Sequence, residues 1–240
     1  GQTDKDGAFR FQNLPAGGYK ITASKDQSQW NDRGEEIAPR APLSREASPV
    51  VELAEGAAVR DVVIQLKTGG TLQGVVRDAS GRPAAHAFVS VRDPSGVDRN
   101  DLSSVADEDG SYECSGIGEG TWTVRAMRQG EVSGEQGVRI TAGEKTVLDL
   151  ELRTGTELSI QVQERDGTPV GASITVTDAK GRSVNVWREE GGEPGAPQKV
   201  GPLAPGQYTV TATNHDGNHV STNVTLAGEA TRSVSLKFGD

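Results

Sequence analysis

LPAGGYKITA at residues 14–23, IGEGTWTVRA at 117–126 and LAPGQYTVTA at 203–212 decide how this sequence is read. Laid over one another, they align Leu14 with Ile117 and Leu203, and Gly17 with Gly120 and Gly206. The aromatics Tyr19, Trp122 and Tyr208 fall together, followed by Ile21, Val124 and Val210, then Ala23, Ala126 and Ala212. Each copy is a turn signal followed by apolar side chains at alternate positions, the period of a half-buried strand. The chain therefore carries a repeated module.

Two further blocks extend the repeat. Each unit closes on VELAEGAAVRDVVIQL (51–66), VRITAGEKTVLDLEL (138–152) or VTLAGEATRSVSLKF (224–238), which reads as a strand, a glycine turn and a closing strand. The second and third units open on GTLQGVVRDASGRPAAHAFVSV (70–91) and GTELSIQVQERDGTPVGASITV (155–176), each a strand, an Asp/Gly/Pro turn and a second strand. The first unit has no such opening, although Phe9 and Phe11 already alternate as on a strand. The expected units are 1–66, which lacks its first strands, 67–153 and 154–240. Those strands are expected upstream of Gly1, with donation by a partner chain as the alternative. No segment shows a helical period, so the expected fold class is all-β, a tandem row of small Greek-key β-sandwiches. The links Lys67–Gly70 and Arg153–Gly155 are very short, which favours a semi-rigid rod.

Composition agrees. Of 240 residues only 33% are hydrophobic and 4% aromatic, while Gly 31 and Pro 11 supply frequent turns, so small thin-cored modules are expected rather than one large globule. A net charge of −9 argues against nucleic acid and anionic membrane surfaces as partners. One cysteine excludes an intrachain disulfide framework. No apolar run approaches a transmembrane span. The chain opens on polar residues, so an export signal is expected to lie outside this sequence.

The blocks resemble the carboxypeptidase regulatory-like domain family, with its transthyretin-like β-sandwich. Gly74-Val75-Val76-Arg77-Asp78, Gly81, Pro83, Ala87, Val89 and Val91 follow its opening pattern. Thr3, Asp4, Gly7, Phe9, Phe11, Leu14, Pro15, Gly17 and Tyr19 follow its continuation, as do Asp107, Gly110, Tyr112, Ile117, Gly120 and Trp122. The third unit departs from it: a polar loop, REEGGEPGAPQ (188–198), stands before Leu203. The resemblance implies an Ig-like sandwich used as a structural appendage. The zinc motif His-x-x-Glu of the metallocarboxypeptidases follows none of the three histidines, so no peptidase activity is implied.

Asp4-Lys5-Asp6-Gly7 and Asp107-Glu108-Asp109-Gly110 open like calcium loops, which makes Asp4, Asp6, Asp107 and Asp109 the metal candidates. An EF-hand loop needs a carboxylate at its twelfth position, and Pro15 and Gly118 stand there. Asp-capped turns before a strand are the expected reading, with weak calcium binding as the alternative. His215 and His219 flank a hairpin tip without an evident third ligand, and His86 occupies a turn where the family pattern has glycine. Cys114 aligns with Phe11 and is expected as a buried thiol. The first strands hold no lysine for the isopeptide cross-link of collagen-adhesin B-type domains.

Trp30 and Arg33 lie in a long insertion between Ala23 and Val51, and Trp187 and Arg188 beside the polar loop; these are the candidate interaction loops. The expected function is non-catalytic: structural or adhesive modules of a larger bacterial secreted or cell-surface protein, with a periplasmic setting as the alternative location. A protein partner or neighbouring copy would be met through the insertion or through the open edge of the first unit. The alternative function is a carbohydrate-binding accessory array attached to an enzyme elsewhere in the polypeptide, with a glycan as partner.

Overall fold

The computed structural model describes residues 1–24, 43–184, 186–188 and 195–239. Its regular secondary structure among the described residues is strand. The exception is one 3-10 turn at Asn100–Leu102.

The first segment holds two short pairs. Strand β1 (Gly17–Tyr19) lies antiparallel to β4 (Val51–Leu53), and β2 (Thr22–Ala23) antiparallel to β3 (Glu46–Ala47). A β-sandwich follows. In one sheet β5 (Gly70–Arg77) runs antiparallel to β8 (Ser111–Ile117) and parallel to the short strands β12 (Lys145–Val147) and β13 (Leu150–Glu151). In the other, β9 (Gly120–Arg128) runs between β6 (Phe88–Arg92) and β11 (Gln136–Ile140), with β7 (Ser104–Val105) beyond β6. Strand β10 (Glu131–Val132) continues the β9 hairpin and carries β14 (Arg153–Thr154) on its free side. Leu72, Val76, Val89, Val91, Tyr112, Ile117, Trp122, Val124, Ile140, Leu150 and Leu152 form one buried cluster between the two sheets.

The last segment repeats the plan. Strand β15 (Thr156–Gln163) lies between β18 (Gln198–Leu203), antiparallel, and β21 (Thr231–Lys237), parallel, with β17 (Trp187–Arg188) outside β18. Strand β19 (Gly206–Thr213) lies between β16 (Ser173–Asp178) and β20 (His219–Leu226). Leu158, Ile160, Val162, Ile174, Val176, Leu203, Val210, Val224, Leu236 and Phe238 fill its core.

The repeated aromatic has a physical role that alternation alone did not reveal. Tyr19 Oη donates to the Pro15 carbonyl at 2.6 Å, Trp122 Nε1 to the Gly118 carbonyl at 2.8 Å, and Tyr208 Oη to the Ala204 carbonyl at 2.9 Å. In each copy the polar tip of the ring ties down the turn four residues upstream. Trp122 is buried, whereas Tyr19 and Tyr208 are half-buried.

A second device also recurs. At Asp78, Asp93, Asp178 and Asn214 a side-chain oxygen accepts backbone N–H groups two and four residues on, and a glycine three residues on closes the turn. Gly81 (φ 80°) and Gly181 (φ 75°) adopt the left-handed conformation such turns demand. The Asp/Gly/Pro spacing of the repeat is thus hairpin punctuation.

One expectation fails in the first segment. Phe9 and Phe11 align with Tyr112 and Cys114 as core residues, yet Phe11 is 49% exposed, against 2% for Cys114. Phe9 is half-buried, and Leu14 is exposed where Ile117 is sealed. The closing segment 59–66 joins no ladder among the described residues. Among the described residues no strand pairs with residues 8–14, whereas β5 pairs with β8 in the sandwich that follows.

Candidate functional site at the joints between the sandwiches

Short links alone do not fix one module on the next; side-chain and backbone contacts at the joints bear on that. Between the two sandwiches the link is itself a strand. In the ladder of β14 against β10, Glu131 faces Thr154 and Val132 faces Arg153, and Gly155 N–H donates to the Gly130 carbonyl at 2.9 Å. A Cβ at Gly155 would lie 2.5 Å from Pro202 Cβ and 3.0 Å from Val132 Cγ1, so both sandwiches press on this residue.

Beside the link sits a charge network centred on Arg92, whose side chain is only 4% exposed. Arg92 Nε donates to Asp98 Oδ1 at 2.9 Å, Nη1 to Glu135 Oε1 at 2.7 Å and Nη2 to the Ser183 carbonyl at 3.0 Å. Ser183 belongs to the other sandwich. So does Arg182, whose Nη2 donates to Glu135 Oε2 at 2.9 Å and whose Nε donates to Asp178 Oδ2 at 2.8 Å. Glu135 therefore bridges two arginines from two sandwiches.

Arg125 is buried close by, within electrostatic reach of Asp98, Arg92, Glu135 and Tyr208. Burial pulls its pKa below the ordinary arginine value, while Asp98 and Glu135 oppose that. Burial likewise pushes the Tyr208 hydroxyl up. Burial also raises Asp178, but hydrogen bonds from Arg182 and the Arg182 and Lys180 backbone amides outweigh it and hold the carboxyl below the usual range. Cations and carboxylates alternate through the network, the condition under which buried charge is tolerated.

The first segment meets the second at a smaller joint. Ser44 N–H donates to the Lys67 carbonyl at 2.8 Å, and Leu43 bridges to Thr68. Arg45 pairs with Asp101 at 3.0 Å, and Asp101 is also gripped by Arg99 at 2.9 Å. The Arg99 guanidinium lies 6.0 Å from the centre of the Trp122 ring. Hydrogen bonds from Arg99 and then from Arg45 hold the Asp101 carboxyl at about 2, against an ordinary value of about 3.9. A depressed carboxylate stabilises above its unfolded pKa and loses that contribution as pH falls through its folded pKa. This joint is expected to loosen between about pH 4 and about pH 2. The carbon chemical shift of the Asp101 carboxyl should titrate near the lower value; a midpoint near 4 would count against the pairing.

The candidates named from sequence fall elsewhere. Asp4 Oδ1 accepts the Asp6 and Ala8 amides, and Asp109 Oδ1 accepts from the Ser111 amide and hydroxyl, which lowers the Asp109 pKa. Asp6 lies 4.0 Å from Lys5, and the Asp107 backbone closes its turn through Ser111 and Gly110. Among the described residues no three His, Cys, Asp or Glu side chains are grouped so as to hold a metal. His215 pairs with Asp216 at 3.1 Å on an exposed tip. His86 takes the left-handed conformation (φ 60°) where glycine was expected. Cys114 is buried, and burial pushes its thiol up to about 12, a protonated and unreactive state. Trp30 and Arg33 lie outside the described residues. The backbone of Trp187 and Arg188 pairs with Gly201 and Val200 on β18.

Sequence reasoning missed Arg92, Glu135 and Arg182. A signal existed in VSVR, residues 89–92, where Val89 and Val91 mark one face of β6 and Ser90 and Arg92 the other. Both faces are buried, because the next sandwich closes over the second one.

Residues 71–153 match the carboxypeptidase regulatory-like domain. The Gly74-to-Val91 and Asp107-to-Trp122 patterns both lie in this regulatory-like domain. Among solved structures, the chain is similar to the Bacillus anthracis TIE protein at 15% identity and TM-score 0.31, covering 95% of this chain and 50% of that one. It is similar to GBS52, the minor pilin of Streptococcus agalactiae, at 13% identity and TM-score 0.33, covering 71% of this chain and 97% of that one. It is also similar to the shaft pilin spaA of Lactobacillus rhamnosus GG, at 9% identity and TM-score 0.30, covering 72% and 99%. No curated protein matches the sequence.

Proposed function

We propose that this chain is a non-catalytic, semi-rigid array of β-sandwich modules, serving as spacer or assembly element in a larger bacterial protein outside the cell or at its surface. One observation carries the reading: within the link Arg153–Thr154 is a strand of the preceding sheet, and Glu135 bolts Arg92 to Arg182 across the joint. A flexible tether would leave its backbone to water. Here the chain uses ladder bonds and a partly buried ion network to fix one module on the next. The regulatory-like domain supports the reading, since it contributes a scaffold whose polar side chains are engaged in turns and joints.

Small-angle X-ray scattering tests it. The wild-type chain should give one narrow distribution of interatomic distances, unchanged between low and moderate salt. Glu135→Arg sets a third cation between Arg92 and Arg182, and should broaden that distribution while both sandwiches stay folded by circular dichroism. A broad distribution for the wild type, or identical curves for both proteins, would refute the semi-rigid array.

A further inference from the structure

In the sheet β16–β19–β20 the outer edge of β20 has no strand beside it among the described residues. This strand is eight residues long, HVSTNVTL, and holds no lysine, arginine, aspartate, glutamate or proline. Exposed edges are ordinarily guarded by charge, proline, brevity or a covering segment. Other edges of the two sandwiches have such guards. Strand β7 is two residues long, β11 carries Arg139, β21 carries Arg232 and Lys237, and β16 is bridged at Thr177 by Ser183.

The backbone of β20 presents a regular set of groups to that edge. At the tip of the hairpin the Asn214 N–H donates to the Asn218 carbonyl, so these two residues form a hydrogen-bonded pair. Antiparallel alternation then turns the N–H and C=O groups of Val220, Thr222 and Val224 toward β19, and those of His219, Ser221, Asn223 and Thr225 toward the open edge. The Ser221 and Asn223 side chains are held against β19: Thr211 Oγ1 and Ser221 Oγ share a hydrogen bond at 2.8 Å, and Thr209 Oγ1 donates to Asn223 Oδ1 at 2.9 Å. On the core face Val220 and Thr222 are half-buried, whereas Val224 is buried.

We propose that β20 is a self-complementary docking edge, on which a second copy of this chain adds its own β20 antiparallel. It goes beyond the array itself, since it joins one array to another. Side-chain chemistry and backbone alternation fix the register. With the two-fold axis at Thr222, Ser221 faces Asn223 of the second copy and His219 faces its Thr225, so all four outward residues of each strand exchange N–H···O bonds. On the core face the half-buried Val220 meets Val224 of the second copy. The edge is free of acidic and basic side chains, so two copies meet here without setting like charges opposite one another. A single strand pair buries little area, so the association is weak and concentration-dependent.

Disulfide trapping in the full chain tests the register. The two Thr222 residues form a non-hydrogen-bonded pair with Cα atoms about 4.5 Å apart, within the reach of a disulfide. Thr225 lies six residues along the strand from Thr225 of the second copy. Under oxidised glutathione, Thr222→Cys should give at least ten times more disulfide-linked dimer than Thr225→Cys at equal concentration, although Thr225 is the more exposed. The wild type, whose one cysteine is the buried Cys114, sets the background. A second measurement needs no substitution. In the wild-type chain, amide hydrogen exchange at His219, Ser221, Asn223 and Thr225 should slow as concentration rises, while Val220, Thr222 and Val224 stay constant. Ser221→Lys puts a charge on the edge and should remove that effect. Equal cross-linking at positions 222 and 225 would overturn the proposal. So would exchange at the four edge amides that is independent of concentration, or that slows no more than exchange at Val220, Thr222 and Val224.

Discussion

Gly74→Ala is expected to unfold the regulatory-like domain well below the temperature at which the wild type unfolds. The reason is space. A Cβ at residue 74 would lie 1.9 Å from the Leu148 carbonyl oxygen and 2.6 Å from its carbon. The closing strand is interrupted here between β12 and β13. The Leu148 carbonyl points at β5 and accepts from Tyr112 Oη at 2.7 Å, and the Asp149 carboxylate takes the Val75 amide at 2.9 Å. That carbonyl cannot retreat without breaking the Tyr112 bond and the Leu148-to-Gln73 ladder bond. Forced overpacking costs about 1–3 kcal/mol, and a backbone clash of this depth belongs at the top of the range. A domain of this size loses about 4–8 °C of Tm per kcal/mol, so a fall of more than about 12 °C is expected by calorimetry. Gly81→Ala separates space from conformation. No atom lies within 4 Å of its Cβ position, but φ is 80°, so only the left-handed penalty of about 1–2 kcal/mol should appear. Equal effects at the two glycines would refute the steric account. In the third sandwich the position of Gly74 is held by Ile160, which is tolerated because β21 continues unbroken alongside β15.

Arg92→Ala is expected to destabilise the chain by about 3 kcal/mol and to uncouple the two sandwiches, because it leaves Asp98 and Glu135 facing each other at a partly buried site without their shared cation. The wild type should show one cooperative transition for both sandwiches, and the variant two. Arg92→Lys keeps the charge but not the planar fork that reaches Asp98, Glu135 and the Ser183 carbonyl together, so it should rescue only part of the loss. Two separate transitions already present in the wild type would show that the network does not couple the modules.

Much of this protein is written locally. The alternation of Leu158, Ile160 and Val162, the Asp-x-x-Gly turns and the repeated aromatic all act over a few residues, through strand period, turn chemistry and the reach of one side chain. They determine the all-β sandwich class. The same alternation misplaced Phe11, since a period states which face a side chain takes but not whether anything covers that face. The glycine of the opening motif was visible as a letter. Its cause was not, because Leu148 lies 74 residues away and approaches only in the folded sheet. The joint was hidden for a like reason. Arg92 lies on the outer face of β6, Glu135 in the connection between β10 and β11 and Arg182 in the turn after β16, and a local reading assigns all three to water. Packing one sandwich on the next removes that water and leaves Arg92 to Asp98 and Glu135 of its own sandwich and the Ser183 carbonyl of the next, and Arg182 to Glu135 from across the joint. Local periodicity determined the modules; contacts between residues far apart in the chain decided how they are fixed to one another.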